Sequence, residues 1–177
     1  MKVVFLDIDG VLNCEDNWHH IPRYGRFQSS RLSPDAVKLV GDLCNRTESK
    51  IVISSTWRRC HSMEDLKSFL QRAGLKNAND LVIDRTPGYD GEARGKEIAD
   101  WLLDNALKIE SLVILDDNRS RMDPLKHRLV QTSWLHGLLP HHIESCIKIL
   151  LEPFSIQEII SKEMSASVPD WHDPSGE

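Results

Sequence analysis

The hydrophobic positions fall into short unbroken runs set between longer amphipathic stretches. Val3 to Leu6, Ile51 to Ile53 and Leu112 to Leu115 are continuous apolar segments, as expected of parallel strands covered on both faces. Leu81 to Ile83 and Arg128 to Gln131 are weaker runs of the same kind. Between them lie helical patterns with readable starts. Ser33 before Pro34 and Asp35 is an N-cap followed by proline in the first turn, and predicts a helix through about Cys44. Ser62, with Asp65 three residues on, opens a second helix that Gly74 closes. Lys96 to Leu107 is amphipathic, with Ile98, Trp101 and Leu102 on one face. Pro140 starts another, whose apolar face carries Ile143, Ile147, Leu150 and Leu151; a short helix from Ile156 to Met164 and a polar tail from Ser165 to Glu177 follow. Strand and helix alternating in this way predict an α/β fold, a doubly wound, mostly parallel sheet with helices on both faces.

Composition narrows the class without naming a chemistry. The 177 residues suit one domain, expected over 1–152, followed by a helix and flexible tail over 153–177. With 22 Lys and Arg against 27 Asp and Glu the net charge is −5, which argues against a generally basic nucleic-acid binder but leaves room for a local basic patch. No apolar run approaches the length of a membrane span, and the N-terminus is too short on apolar residues for a signal peptide, so a soluble cytoplasmic protein is expected. Cys14, Cys44, Cys60 and Cys146 are scattered with no C-x-x-C pair and read as reduced thiols.

In doubly wound sheets ligands sit beyond the carboxyl ends of the strands, so the residues after each apolar run carry the chemical information. The first run is followed by Asp7-Ile8-Asp9-Gly10, and an extended backbone turns Asp7 and Asp9 to the same side. Two adjacent carboxylates repel unless a cation or proton separates them. The second run is followed by Ser54-Ser55-Thr56-Trp57-Arg58, hydroxyls that could donate to a phosphate or cap a turn, and a guanidinium that could fork onto a substrate phosphate or serve as an ordinary ion-pair partner. Arg94 and Lys96 stand at a helix start, where a cation can neutralise a transferring phosphoryl group. The last strong run ends in Asp116-Asp117-Asn118, a second acidic pair suited to Mg²⁺. Acids, hydroxyl, cation and acids at four strand ends describe a phosphoryl-transfer site.

That order resembles the haloacid dehalogenase (HAD) superfamily of phosphatases. "FLDIDGVLN", "IVISSTWR" and "LVILDDN" carry the resemblance, which covers about residues 2–150. It implies that Asp7 is the nucleophile forming an aspartyl-phosphate and also a metal ligand. It implies that Asp9 is the general acid and base, its backbone carbonyl touching the metal. Ser54 would bind the phosphoryl group, Arg94 or Lys96 would supply the family's basic residue, and Asp116 and Asp117 would complete the Mg²⁺ site, with Asp123 a weaker third acid. Ser55 and Arg58 join the candidate phosphate and substrate contacts.

The stretch from Asn13 to Ser33 spans only about 20 residues, below the size of an independent domain, so the chain looks capless with a short flap at about 14–33. The flap interleaves Trp18, His19, His20, Arg23, Tyr24, Arg26, Phe27 and Arg31, a mixture that can stack bases and hold phosphates. The style of "DGVLN" and "SSTWR" resembles a capless subgroup associated with nucleic-acid end repair, and that resemblance implies a nucleotide or polynucleotide phosphate end as the leading substrate. A small-metabolite phosphatase, a phosphotransferase and a silent phosphate-binding protein are the alternatives. A response-regulator receiver domain is disfavoured because the adjacent acidic pair comes last rather than first. Trp57, Trp101 and Trp134 are expected as packing residues, and His136, His141 and His142 as exposed ones.

Overall fold

The computed structural model describes residues 1–18, 32–105, 108–157 and 159. Its centre is a five-stranded parallel sheet in the order β3-β2-β1-β4-β5, built from β1 (Lys2–Leu6), β2 (Ser49–Ile53), β3 (Val82–Arg85), β4 (Ser111–Asp116) and β5 (Leu129–Gln131). The helices are α1 (Glu15–Trp18), α2 (Pro34–Thr47), α3 (Met63–Arg72), α4 (Ala78–Leu81), α5 (Arg94–Asn105) and α6 (Pro140–Leu151), with single 3₁₀ turns at Thr56–Arg59 and Lys126–Arg128. No separate cap is present among the described residues, and residues 19–31 of the expected flap lie outside them, as does most of the expected helix from Ile156 to Met164.

The continuous apolar runs have a direct cause in the two cores they serve. Val4 and Leu6 of β1 pack with Ile51, Ile53, Val113 and Leu115 against residues of α2, α3 and α6. Val3 and Phe5 face the other way, with Val52, Leu112 and Ile114, onto Ile98, Trp101 and Leu102 of α5. Every side chain of the central strand is therefore needed by one layer or the other, and alternation disappears.

The caps follow from local chemistry. Ser33 accepts from the Ala36 N–H at 3.3 Å, and Ser62 and Asp65 form a reciprocal capping box at the start of α3. Helix α2 runs to Thr47 rather than Cys44, because no glycine or proline follows Cys44 to stop it and Glu48 itself adopts the left-handed conformation that ends it. Strand β3 runs Val82–Arg85, later than the expected Leu81 to Ile83. It is an edge strand with only Val82 buried, so hydrophobicity marks its position weakly. Helix α5 starts at Arg94, two residues before the expected Lys96, and that shift matters for the site.

Candidate active site

The carboxyl ends of β1 and β4 are neighbours, which brings the two acidic pairs together. The Asp7 N–H donates to Leu115 O at 2.9 Å, carrying the β1–β4 ladder one residue past the strand. One carboxylate oxygen from each of Asp7, Asp116 and Asp117 lies within 4.8 Å of the others. Gly10 makes this possible. It has φ +74°, and a Cβ there would stand 2.5 Å from the Asp117 carboxyl carbon, so a side chain at this position would evict Asp117.

Asp9 takes a different post. Its carboxylate is held away from the cluster by two donors, Asn13 Nδ2 at 2.7 Å on Oδ1 and Trp57 Nε1 at 2.9 Å on Oδ2. Trp57 is therefore more than the packing residue expected of it. Its ring also meets Phe69 edge to face, with centroids 6.1 Å apart, which locks the indole that locks the acid. A half-buried indole needs an acceptor for its N–H, and that requirement was the available signal in the sequence.

Arg94 is the cation that meets the acidic cluster. Its Nη1 contacts Asp7 Oδ2 and reaches Asp116 Oδ2 at 2.5 Å. Gly95 allows this, because a Cβ there would lie 2.3 Å from the Asp123 carbonyl oxygen; its absence lets the start of α5 press against the loop after β4. Lys96 points elsewhere, half exposed and 3.7 Å from Glu92. Asp123 pairs with Lys126 on the surface, outside the cluster.

Electrostatics mark the cluster as short of positive charge. Burial, then the charge of Asp7, push the Asp116 carboxyl up to about 7 despite Arg94. Asp117 is raised by the same two causes. Burial disfavours the Arg94 cation, but Asp7 and Asp116 outweigh it and hold its pKa above the usual value. Hard oxygen donors crowded at this spacing suit a metal ion better than they suit one another.

The hydroxyl run divides its duties. Ser54 is fully buried and its Oγ has no hydrogen-bond partner among the described residues. Ser55 caps the 3₁₀ turn, and exposed Thr56 lines the cleft. Arg58, expected as a fork for the substrate, is put to another use. Its side chain is 2% exposed, it pairs with buried Glu97, and its remaining donors go to the carbonyls of Ser54, Ser55, Thr86 and Pro87. A guanidinium committed to that many carbonyls is a pin between loops, with no fork left for substrate.

An open cleft of about 380 Å³ is lined among others by Asp7, Asp9, Thr56, Arg94, Asp116 and Asp117, with Ser54 and Ser55 buried behind its wall. Over residues 3–143 the sequence matches the family described as the HAD domain in Swiss Army Knife RNA repair proteins. The chain belongs to that family. No curated protein and no solved structure gives a significant match. The match takes in all five strands of this HAD domain except Lys2 at the start of β1, and ends inside α6. The buried Asp7, Asp116 and Asp117 cluster fits a HAD catalytic site.

The rest of the HAD domain bears on the other expectations. Trp101 is a packing residue, edge to face with Phe5 and donating to Asp84 Oδ2 at 2.7 Å. Trp134 is not, being 42% exposed on the wall of the cleft. His136 is exposed and pairs with Asp16 at 2.7 Å. All four cysteines are free, Cys60 exposed and the other three buried. No helix among the described residues is long and apolar enough to cross a membrane.

Proposed function

We propose that this HAD domain is a Mg²⁺-dependent phosphomonoesterase that works through an aspartyl-phosphate on Asp7 and acts on phosphorylated nucleic-acid ends. The observation that carries the reading is the division of the acids. Asp7, Asp116 and Asp117 converge, while Asp9 is held apart by Trp57 and Asn13. A metal-binding nucleophile and a separate proton carrier are the two roles that phosphoryl transfer through an enzyme carboxylate demands.

Asp7, Asp116 and Asp117 would hold the ion, which when bound offsets the charge that phosphoryl oxygens bring into the cleft. Asp7 attacks phosphorus with a carboxylate oxygen, the bond from phosphorus to the leaving alcohol breaks, and Asp9 gives that oxygen its proton. In the second half Asp9, now a carboxylate, takes a proton from water as the water oxygen attacks phosphorus. The acyl-phosphate bond breaks, and inorganic phosphate leaves with Asp7 restored. Arg94, already on Asp7, orients the nucleophile and faces the incoming phosphoryl group. The unspent Ser54 hydroxyl is the donor assigned to a phosphoryl oxygen. The polynucleotide end as substrate is supported by the RNA-repair family and by a cleft that no separate cap covers among the described residues.

The test is Mg²⁺-dependent phosphate release from 3′- and 5′-phosphorylated oligonucleotides, nucleoside monophosphates, sugar phosphates and p-nitrophenyl phosphate. The expected result is preference for an oligonucleotide end, lost in Asp7→Asn by at least about 10³-fold with the fold retained. Preference for small esters would overturn the substrate, and activity surviving Asp7→Asn would overturn the mechanism.

A further inference from the structure

We infer that Arg121 grips the phosphodiester next to the scissile phosphate, and so makes the site select a polynucleotide end over a mononucleotide; the inference rests on the nucleic-acid-end reading above. The charges around the cleft single this residue out. Arg58, Arg59, Arg94 and Arg121 all line it. Arg58 is closed on Glu97 and on backbone carbonyls, and Arg59 lies 3.3 Å from Asp90 and 3.5 Å from Glu97. Arg94 is spent on Asp7 and Asp116. Arg121 forms no ion pair with a carboxylate among the described residues, and its guanidinium donates there only from Nη2 to Gly91 O. Most of its N–H donors remain for an incoming anion.

The backbone fixes where that charge stands. Arg121 O accepts the N–H of Gly95, the neighbour of Arg94, at 2.8 Å, and the next residue, Met122, is buried in the core with Ile98 and Leu102 of α5. A Cβ on Gly95 would lie 2.6 Å from the Met122 carbonyl carbon, so only glycine permits this approach. From that anchor the guanidinium reaches to Gly91, on the loop that runs from β3 to α5. Arg121 and Gly91 are exposed while lining the cleft, whereas Asp7 and Asp116 line it from buried positions. The acids with Arg94 form the floor, and Arg121 bridges two loops at the rim. A Cβ on Gly91 would meet nothing within 4 Å, so the space beside that bridge is open.

Floor and rim then carry different duties. The terminal phosphate belongs on the floor, where the nucleophile and Arg94 stand. A chain leaving that floor brings its next negative charge, a phosphodiester, out to the rim. A guanidinium meets the two non-bridging oxygens of a phosphodiester with paired N–H donors. Such a contact positions the chain without reading its bases, which suits an enzyme that must accept any terminal nucleotide. A nucleoside monophosphate has no second anion to offer.

The experiment compares kcat/KM for a terminally phosphorylated oligonucleotide with that for the same oligonucleotide whose linkage next to the terminal nucleotide is an uncharged methylphosphonate, at both 3′ and 5′ ends. For the wild-type protein a ratio of roughly ten in favour of the charged linkage is expected at the preferred end in low salt, shrinking as salt is raised. Arg121→Gln should bring that ratio close to one, and Arg121→Lys, which keeps the charge but loses the fork, should keep part of it, with thermal melts confirming that both variants fold. A wild-type ratio near one, a ratio that survives Arg121→Gln, or a variant that loses both substrates equally would overturn the assignment while leaving the phosphatase standing. Silence of the wild-type protein toward both substrates would instead remove the phosphatase reading, and this inference with it.

Discussion

Two arginines, Arg58 and Arg94, sit a short distance apart on the α5 side of the sheet, and they do opposite things with burial. Arg58 faces one carboxylate, Glu97, and fills its other donors with four backbone carbonyls from the loops after β2 and β3. Glu97 in turn accepts the Tyr89 N–H at 2.9 Å, so the loop after β3 is pinned to α5 as well. Arg94 faces two carboxylates, with Asp117 close by, and leaves an excess of negative charge. Burial of charge is common to both. What separates a structural pair from a chemical one is whether its charge and hydrogen bonds close among themselves.

The strongest way to break this comparison is to remove each guanidinium in turn. Arg58→Ala leaves buried Glu97 with only the part-exposed Arg59, 3.5 Å away, as its cation, and chemical denaturation should report a loss of up to ~3 kcal/mol that Mg²⁺ does not restore. Arg94→Ala should fold, lose about 10²–10³-fold in kcat, and recover any stability deficit when Mg²⁺ is added. If Mg²⁺ rescued the Arg58 variant and not the Arg94 variant, the two roles would have to be exchanged.

A smaller effect probes the post held by Asp9. Trp57→Phe keeps the ring against Phe69 and deletes only the N–H on the carboxylate. Turnover of a nucleotide ester should fall roughly tenfold, and turnover of p-nitrophenyl phosphate much less, because a good leaving group needs little help from an acid. Equal losses on the two esters would make Trp57 a packing residue after all.

The smallest effect lies on the far side of the sheet, where no chemistry is assigned. Burial pushes the Cys44 thiol up to about 11 and the Cys146 thiol up to about 12. Raised values keep both protonated near pH 8, only the thiolate is alkylated, and Cys14 is shielded by burial, so labelling of the folded protein at that pH should be confined to Cys60. Labelling of Cys44 or Cys146 should appear only on unfolding or as the pH climbs toward those values. Rapid labelling at pH 8 would mean that α2 and α6 open readily.

Much of this was legible in the sequence because the central strands are covered on both faces and cannot hide. Val3 to Leu6 and Leu112 to Leu115 advertise themselves, and the acids that follow stand at the only ends where such a sheet binds ligands. What stayed hidden depends on partners distant along the chain. The choice between Arg94 and Lys96 turns on where α5 begins, which Gly95 settles by its approach to Met122 and Asp123. The use of Arg58 depends on Glu97, 39 residues on, and that of Trp57 on Asp9, 48 residues back. Edge strand β3 carries too little buried surface to place itself.

The central claim is that Asp7 takes the phosphoryl group, and a direct chemical trap tests it. The protein would be acid-quenched during turnover of a ³²P-labelled oligonucleotide end in Mg²⁺, digested, and mapped for phosphate that hydroxylamine releases. Label on the peptide containing Asp7 and absent in Asp7→Asn is the predicted result; Asp9→Asn, which slows both formation and hydrolysis of the intermediate on this ester, should lower turnover without moving the label to another residue. Turnover with no label on Asp7, or label on another residue, would contradict the account.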